Sequence, residues 1–297
     1  MKKSSTNNLE YLDISQEINL TNIPNTPFLS WLLGAGKTKP AKATEVKWRE
    51  SELNGDDSSG QLEGGEYKDA DTNRKFISNF TEIFRKSTSV SGTLDAITVD
   101  GVGSELSYQI SQRGLEMKVD LNRQLVNGVK SDETSSTGRK MNGIINLINA
   151  DNAVEAANAG AVTRKDVDKL FKVMFDAGYG GNKLLLAGTD MLDLMTDEVD
   201  KNGNKVFSFG DTVAFGLQLG KVVSNYGTGS ILVEPNVPAG TIIGLDPNYI
   251  RLRPLREWRA EELAKTTDSK RIGLVGEYSI EYNASKSGAL LTLPTAP

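Results

Sequence analysis

One amphipathic stretch, Ser104 to Gly128, constrains the fold of this chain more than any other part of the sequence. Polar residues fill most positions, and apolar residues recur at the spacing of one helix face: Leu106, Ile110, Met117, Leu121 and Leu125. A second apolar row consists of Leu115, Val119 and Val126. It widens the apolar face, which favours packing on a broad surface such as a sheet. Ser104 can cap the start, and Gly128 can adopt the left-handed conformation that ends a helix. The pattern predicts one long helix, here called the spine helix, in a mixed α+β fold.

Proline separates the ends of the chain from its middle. No proline lies between Ala41 and Glu234, and because proline interrupts helices and strands, the middle can hold long elements. Residues 1–40 are polar at first and then carry three prolines around an apolar cluster: Phe28, Leu29, Trp31, Leu32 and Leu33. We predict an extended N-terminal arm with one apolar cluster.

Residues 41–90 have the composition of two strands joined by a long loop. Thr44, Val46 and Trp48 alternate with charged residues, and residues 76–90 return to strand composition. The intervening residues 51–74 are rich in glycine, aspartate, serine and asparagine, which is typical of a loop. Two strands of roughly 15 to 18 residues would each extend about 50 to 60 Å. The pattern therefore predicts a two-stranded arm that projects beyond its own subunit.

The region from 131 to 250 reads as a compact mixed domain. A helix is predicted after Thr163, with glycine at 178 and 180 to stop it, and another over 191–199. An all-apolar segment, 184–187, predicts a buried strand, and short strands are expected at 222–224, 230–234 and 240–244. Beyond residue 250, strand composition recurs at 272–282 and 290–293.

Composition excludes several classes of chemistry. The 297 residues include no cysteine and no histidine, which excludes disulfides, Cys/His zinc sites and Ser-His-Asp catalysis. The net charge of -5 argues against general affinity for nucleic acid, and no apolar run reaches the ~20 residues that span a bilayer. The 39 acidic residues could still supply a general acid and base. A carboxylate-dependent glycosidase, with two carboxyl groups about 5 to 10 Å apart, is therefore the enzyme alternative.

Two short motifs resemble ligand sites and depart from them. The Gly34–Thr38 segment ends like a phosphate-binding loop, but Trp31 stands where the motif needs glycine and Pro40 forbids the helix that should follow. A flexible hinge in the arm is the preferred interpretation. The Asp200–Asn204 segment begins like a calcium loop, but the sixth position is Lys205 instead of glycine, which favours a polar turn. We predict no catalytic, cofactor-binding or metal-binding residue.

Several stretches, taken in order, carry a family resemblance: residues 25–37, 45–53, 78–93, 137–144, 261–266 and 275–284. Together they resemble a tailed-bacteriophage major capsid protein of the Hong Kong 97-like fold. The resemblance implies an N-terminal arm (1–40), an extended hairpin loop (41–90), a peripheral domain with the spine helix (91–130), an axial domain (131–250) and return strands of the peripheral domain (251–297).

The resemblance also implies a function and partners. Copies of the chain would form hexameric and pentameric capsomers of an icosahedral shell around double-stranded DNA, without sequence-specific DNA binding, catalysis, a cofactor or a membrane partner. The protein would be assembled in the host cytoplasm and located in the virion, with a portal and decoration proteins. Only about forty residues precede the hairpin loop, which favours a separate scaffolding protein. The alternative is the shell of a cellular encapsulin-like nanocompartment.

Six apolar residues of the arm and the hairpin are expected at contacts between subunits: Phe28, Trp31, Leu32, Trp48, Phe80 and Phe84. The first three have little local sequence to pack against, so we expect them to dock on a neighbouring subunit or beneath its spine helix. An isolated two-stranded ribbon is marginally stable in water, so we expect the other three to be buried mainly by an adjacent subunit.

Overall fold

The computed structural model describes residues 25–53, 59, 62–66, 72–96, 104–134, 136–202, 207–214, 217–264 and 267–294. The first 24 residues of the predicted arm, half of the predicted loop at 51–74 and the last two residues of the calcium-like segment lie outside this description. The helices are α1 (Pro27–Gly34), α2 (Gly92–Ala96), α3 (Glu105–Asn127), α4 (Ile144–Leu147), α5 (Arg164–Asp176) and α6 (Thr189–Asn202). The strands are β1 (Glu45–Ser51), β2 (Arg74–Phe80), β3 (Glu82–Ser91), β4 (Ala153–Glu155), β5 (Asn182–Ala187), β6 (Phe207–Ala214), β7 (Leu217–Ser224), β8 (Gly227–Val233), β9 (Thr241–Leu245), β10 (Ile250–Glu262), β11 (Ser269–Tyr282) and β12 (Ala289–Thr292).

The described chain combines helices with three sheets and divides into two compact units. The smaller unit contains Arg85–Met117 and Arg259–Val275, and the larger contains Asn25–Phe84, Lys118–Trp258 and the chain from Gly276 onward. The sheets have two strands (β1-β2), three strands (β10-β11-β3) and seven strands (β4-β12-β9-β5-β8-β7-β6). The predicted α+β class is confirmed.

The spine helix is confirmed as α3. The Ser107 N–H donates to Ser104 Oγ at 3.4 Å, as expected for a capping serine. The apolar row is buried most completely toward the C-terminal end, at Met117, Leu121, Leu125 and Val126.

The predicted role of Gly128 as a left-handed cap is wrong, because its φ is not in the left-handed region. Glycine is needed there for close approach between backbones instead. A Cβ on Gly128 would lie 2.6 Å from Met141 O, and one on Gly143 would lie 2.5 Å from Gly128 N. The Gly143 N–H donates to Gly128 O at 2.8 Å, so the chain after α3 returns directly against the end of the helix.

This glycine contact predicts a selective effect of substitution. Gly143→Ala should lower the free energy of unfolding by at least about 1 to 3 kcal/mol, because the added methyl group meets backbone atoms that cannot rotate away. Gly138→Ala is the matched control, since nothing lies within 4 Å of its Cβ position, and it should change stability by less than about 1 kcal/mol. Urea unfolding of unassembled subunits measures both. Equal stability of the two variants would contradict the close approach.

The seven-stranded sheet forms the centre of the larger unit. Strands β5 and β8 run parallel, as do β4 and β12, while the remaining neighbours are antiparallel. Buried residues of α5 and of the central strands form its main apolar cluster, with Leu170, Phe171 and Met174 from α5. The Thr163 capping box and Gly178, at φ 90°, bound α5 as predicted. The helices and strands expected between 163 and 245 are confirmed.

Two strands near the C-terminus differ from the expectation. Strand β10 was not predicted, because its charged residues hide the alternation that normally identifies a strand. Strand β12 pairs with β9 and β4 inside the seven-stranded sheet, whereas residues 251–297 were all assigned to return strands of a peripheral domain. The domain boundaries themselves remain a prediction.

The long two-stranded arm is wrong in its length. Strands β1 and β2 have seven residues each and pair antiparallel, from Glu45 with Phe80 to Ser51 with Arg74. At about 3.3 Å per residue, each is roughly 23 Å long. Thr81 interrupts the second half, and β3 joins the sheet with β10 and β11. Residues 76–90 have the composition of one continuous strand, so no sign of this break is visible in the sequence.

The predicted flexible hinge around Gly34–Thr38 is also wrong for its C-terminal part, because residues 37–41 extend along β10. The Leu252 N–H donates to Lys37 O at 2.7 Å, and the N–H groups of Lys39 and Ala41 donate to the carbonyl oxygens of Leu252 and Pro254. No helix follows the glycines, so the segment lacks the geometry of a phosphate-binding loop.

Burial of the spine helix gives a second prediction. Leu121→Ala should destabilise the subunit by about 2 to 5 kcal/mol, because Leu121 is fully buried and its removal leaves a cavity. Lys118→Ala, on an exposed position of the same helix, should stay within about 0.5 kcal/mol of the original protein. Chemical unfolding curves provide the measurement. A Leu121→Ala curve that overlays the control would contradict the assigned face.

Candidate subunit-contact residues

The apolar cluster of the arm lies in α1 and is largely buried within its own chain. Phe28, Leu29 and Leu32 are buried, Trp31 is half-buried and Leu33 is exposed. Phe28 and Leu32 therefore need no neighbouring subunit for their burial, which corrects the expectation. The partners of the Phe28 and Leu29 N–H groups are Glu234, just beyond β8, and Asn122, on α3, so they lie too far along the chain for a local pattern to reveal them. A contact between Trp31 and a neighbour remains a prediction.

The predicted contact residues of the hairpin are also buried largely within their own chain. Trp48 is only 8% exposed, and Phe84 is buried in edge contact with Trp258, with ring centroids 6.2 Å apart. Phe80 is half-buried beneath Lys130, whose Nζ lies 4.6 Å from the ring centroid. Most of the burial expected from an adjacent subunit is thus already supplied by the chain. Trp48 and Phe84 therefore do not need a neighbour for their burial, whereas a contact between either residue and an adjacent subunit remains a prediction.

Side-chain hydrogen bonds fix both ends of the described hairpin to its own chain. Ser285 donates to Glu50 twice, from N–H to Oε1 at 2.8 Å and from Oγ to Oε2 at 2.6 Å. Asn79 Nδ2 donates to Ile280 O at 2.8 Å, and Lys130 Nζ donates to Ser78 O at 2.8 Å. The hairpin is therefore held along its length as far as Glu50.

The hairpin and the loop beyond it carry the most exposed large apolar side chains of the described hairpin region. Leu53 is 99% exposed, Leu62 is 86% exposed and Phe76 is 62% exposed with the Arg49 guanidinium 4.8 Å from its ring centroid. Sequence reasoning missed them because the surrounding composition is that of a polar loop. The available signal was the presence of two leucines in a segment that otherwise offers little to bury. These three residues are better candidates for a subunit contact than the buried ones.

A charged cluster holds the elbow between β2 and β3. Thr81 Oγ1 donates to Glu277 Oε1 at 2.6 Å, and the Thr81 N–H donates to Thr44 O at 2.8 Å. Arg139 donates from Nε to Thr81 O at 2.8 Å and also pairs with Glu277. Arg256 completes the cluster, with its Nε 2.9 Å from Glu277 Oε2. The elbow is thus fastened to the loop before α4 and to Glu277 on β11, which in turn pairs with Arg256 on β10.

The electrostatics of this cluster favour an ionised Glu277. Burial alone raises the pKa of the Glu277 carboxyl, but hydrogen bonds from Thr81 and Arg139 and the positive charge of Arg139 outweigh burial and hold the pKa below its usual range. Ionised Glu277 therefore stabilises the fold above the unfolded pKa. That contribution is lost as the pH falls through the lower folded pKa.

This sign gives a testable pH dependence. Glu277→Gln should destabilise the subunit most near pH 6, and its deficit relative to the original protein should shrink as the pH falls below about 4. Glu261→Gln is the control, because Glu261 forms an exposed ion pair with Arg259 on the same strand as Arg256. Urea unfolding across the pH range measures the difference. A deficit that stays constant with pH would contradict the ionic role.

The acidic side chains of the described ranges form ion pairs and hydrogen bonds rather than a metal site. No group of three Asp or Glu side chains there could hold a metal ion. The buried carboxylates of Glu277, Glu281 and Asp246 are each paired with arginine or lysine. Burial raises the pKa of Glu82, which accepts the Met141 N–H at 3.2 Å. None of the described helices has both the length and the apolar character to cross a bilayer.

The sequence of this chain is similar to sequences of known capsid proteins. Residues 2–295 match the model of a family described as SU10 major capsid protein. The major capsid protein of Escherichia phage Phieco32 is 32% identical over 119 residues, which are 39% of this chain and 33% of that protein. The match thus spans about a third of the length of this curated relative.

Solved structures share the fold over nearly the whole chain. An encapsulin complex from Synechococcus elongatus PCC 7942 matches with a TM-score of 0.65 and 13% identity, over 93% of this chain and 91% of the other. The capsid of cyanophage P-SCSP1u matches with a TM-score of 0.64 and 8% identity, over 97% of this chain and 94% of the other. The Hong Kong 97-like fold is confirmed by these neighbours.

Proposed function

This chain belongs to the SU10 major capsid protein family, and we propose that its copies assemble into hexamers and pentamers of an icosahedral shell around the double-stranded DNA of a tailed phage. The observation that carries the proposal is the family match over residues 2–295. The family is one of structural proteins, so the function lies in contacts between copies rather than in a reaction.

The distribution of apolar surface supports this function. The subunit buries its arm helix and most of its hairpin aromatics internally, whereas Leu53, Leu62 and Phe76 remain exposed. Full burial of one such side chain contributes about 1.5 to 3 kcal/mol. Because every copy in a shell repeats the same contact, a small apolar surface on each hairpin suffices to favour assembly.

The remaining parts of the proposal follow from this role. We infer that the protein is assembled in the host cytoplasm and is located in the virion. We further infer a separate scaffolding protein, a portal and decoration proteins as partners. We propose no enzymatic activity, no cofactor and no membrane partner. The net charge of -5 supports DNA enclosure without general affinity for nucleic acid.

An encapsulin-like nanocompartment is the second candidate, because an encapsulin is among the structural neighbours. At 13% identity that likeness concerns the fold alone. The family match favours the phage shell. Double-stranded DNA inside particles isolated with this protein would support the phage function, and a co-purifying enzyme cargo would support the nanocompartment.

Electron microscopy and sedimentation of the purified protein, alone and with its phage scaffolding protein, test shell formation directly. We expect closed shells or separate hexamers and pentamers in at least one of the two samples. Sedimentation as a monomer in both samples at every accessible concentration would refute the proposed function.

The exposed leucines give a residue-level test. The double variant Leu53→Asp, Leu62→Asp should keep the unfolding midpoint of the subunit, because neither side chain is buried, and should raise the concentration needed for assembly at least about tenfold. Glu63→Gln with Glu66→Gln is the matched control at exposed positions of the same segment and should assemble normally. Unimpaired assembly of the leucine variant would exclude these residues from the contact.

A further inference from the structure

Helix α1 has no cap of its own. It spans eight residues, and the side chain of Thr26 at its N-cap makes no capping hydrogen bond. The first N–H groups of a helix have no partner inside it, and a helix this short is unstable in isolation. The helical state of α1 therefore depends on acceptors from elsewhere in the chain.

Two buried side chains supply those acceptors. The Phe28 N–H donates to Glu234 Oε2 at 3.0 Å, and the Leu29 N–H donates to Asn122 Oδ1 at 2.9 Å. Asn122 Nδ2 in turn donates to Glu234 Oε1 at 2.8 Å, so the acceptors are joined to each other. Both residues are fully buried. A carboxylate at this end also complements the partial positive charge of the helix N-terminus.

The acceptor pair is held in place independently of α1. Asn236 donates to Glu234 Oε1 from its backbone N–H at 3.1 Å and from Nδ2 at 2.7 Å. Asn122 is carried by α3, the longest helix described. Removal of α1 would leave Glu234 with three of its four hydrogen bonds, so the acceptors can persist without the helix.

A glycine turn separates α1 from the strand-like segment that follows. Gly36 has φ +63°, and a Cβ there would meet no atom within 4 Å. The Lys37 N–H closes the turn by donating to Leu32 O at 2.9 Å, and residues 37–41 then pair with β10. The backbone can change direction at this turn while the pairing with β10 stays intact.

We propose that Glu234 and Asn122 form a latch for α1, which docks and releases as one unit while the rest of the subunit stays folded. Since α1 begins at Pro27, the latch determines whether the arm is fixed to its own subunit at this helix.

Hydrogen exchange on unassembled subunits tests the latch. In Glu234→Gln, an amide group replaces a carboxylate whose two oxygens both accept hydrogen bonds, so one acceptor is lost. The amides of Ser30, Ala35 and Lys37 should exchange at least about tenfold faster, while those of β5 should change less than about threefold. Glu155→Gln, at an exposed position on β4, is the control and should alter neither set.

A second variant and a second condition keep the test decisive. Asn122→Ala, which keeps the carboxylate, should accelerate the same α1 amides. In the unchanged protein, low denaturant concentrations should reveal opening of α1 at a free energy below that of global unfolding. Acceleration of α1 and β5 together, no acceleration of α1, or global unfolding of both variants would overturn the latch. Because the experiment uses unassembled subunits, a failure to form shells would refute the proposed function without affecting this result.

Discussion

The buried carboxylate of Glu277 joins parts of the chain that are far apart in sequence. It accepts from Thr81 at the hairpin elbow and pairs with Arg139, before α4, and Arg256, on β10. A charge without partners would be costly in such a site, so the fold requires all of these segments to be present together. The position of the elbow at Thr81 thus depends on this one residue and its partners.

Side-chain oxygens also accept hydrogen bonds where two other segments meet the rest of the larger unit. Glu234 and Asn122 accept from the N-terminus of α1, and Glu50, near the loop end of β1, accepts from Ser285. In each case a side chain satisfies backbone N–H groups that the local segment cannot satisfy itself. Hydrogen bonds of this kind are directional, so they specify the position of a segment more sharply than apolar burial does.

Hydrogen bonds of this kind also explain which parts of the fold were predictable from sequence. The spine helix, α5 and β5 follow from local periodicity and caps, so their prediction was accurate. The break at Thr81, strand β10 and the docking of α1 depend on partners more than a hundred residues away or on charged residues paired across strands. No local pattern encodes such contacts. The internal burial of Phe28 and Trp48 was missed for the same reason, because they appear unpartnered in sequence and are buried in the fold, whereas their contact with a neighbouring subunit remains a prediction.

The internal burial of these residues has a consequence for assembly. Aromatic residues that are already buried in the free subunit add little when two subunits meet, so we propose that exposed surfaces such as Leu53, Leu62 and Phe76 supply the free energy of association. Much of the gain from such small surfaces is offset by the entropy lost on association, which keeps each contact weak. Weak contacts can break and reform, so a misplaced subunit can leave before its neighbours surround it. A closed shell becomes stable only when every subunit makes the contact with each of its neighbours. A subunit whose own core is complete and whose contact surface is small is therefore suited to building a shell with few errors.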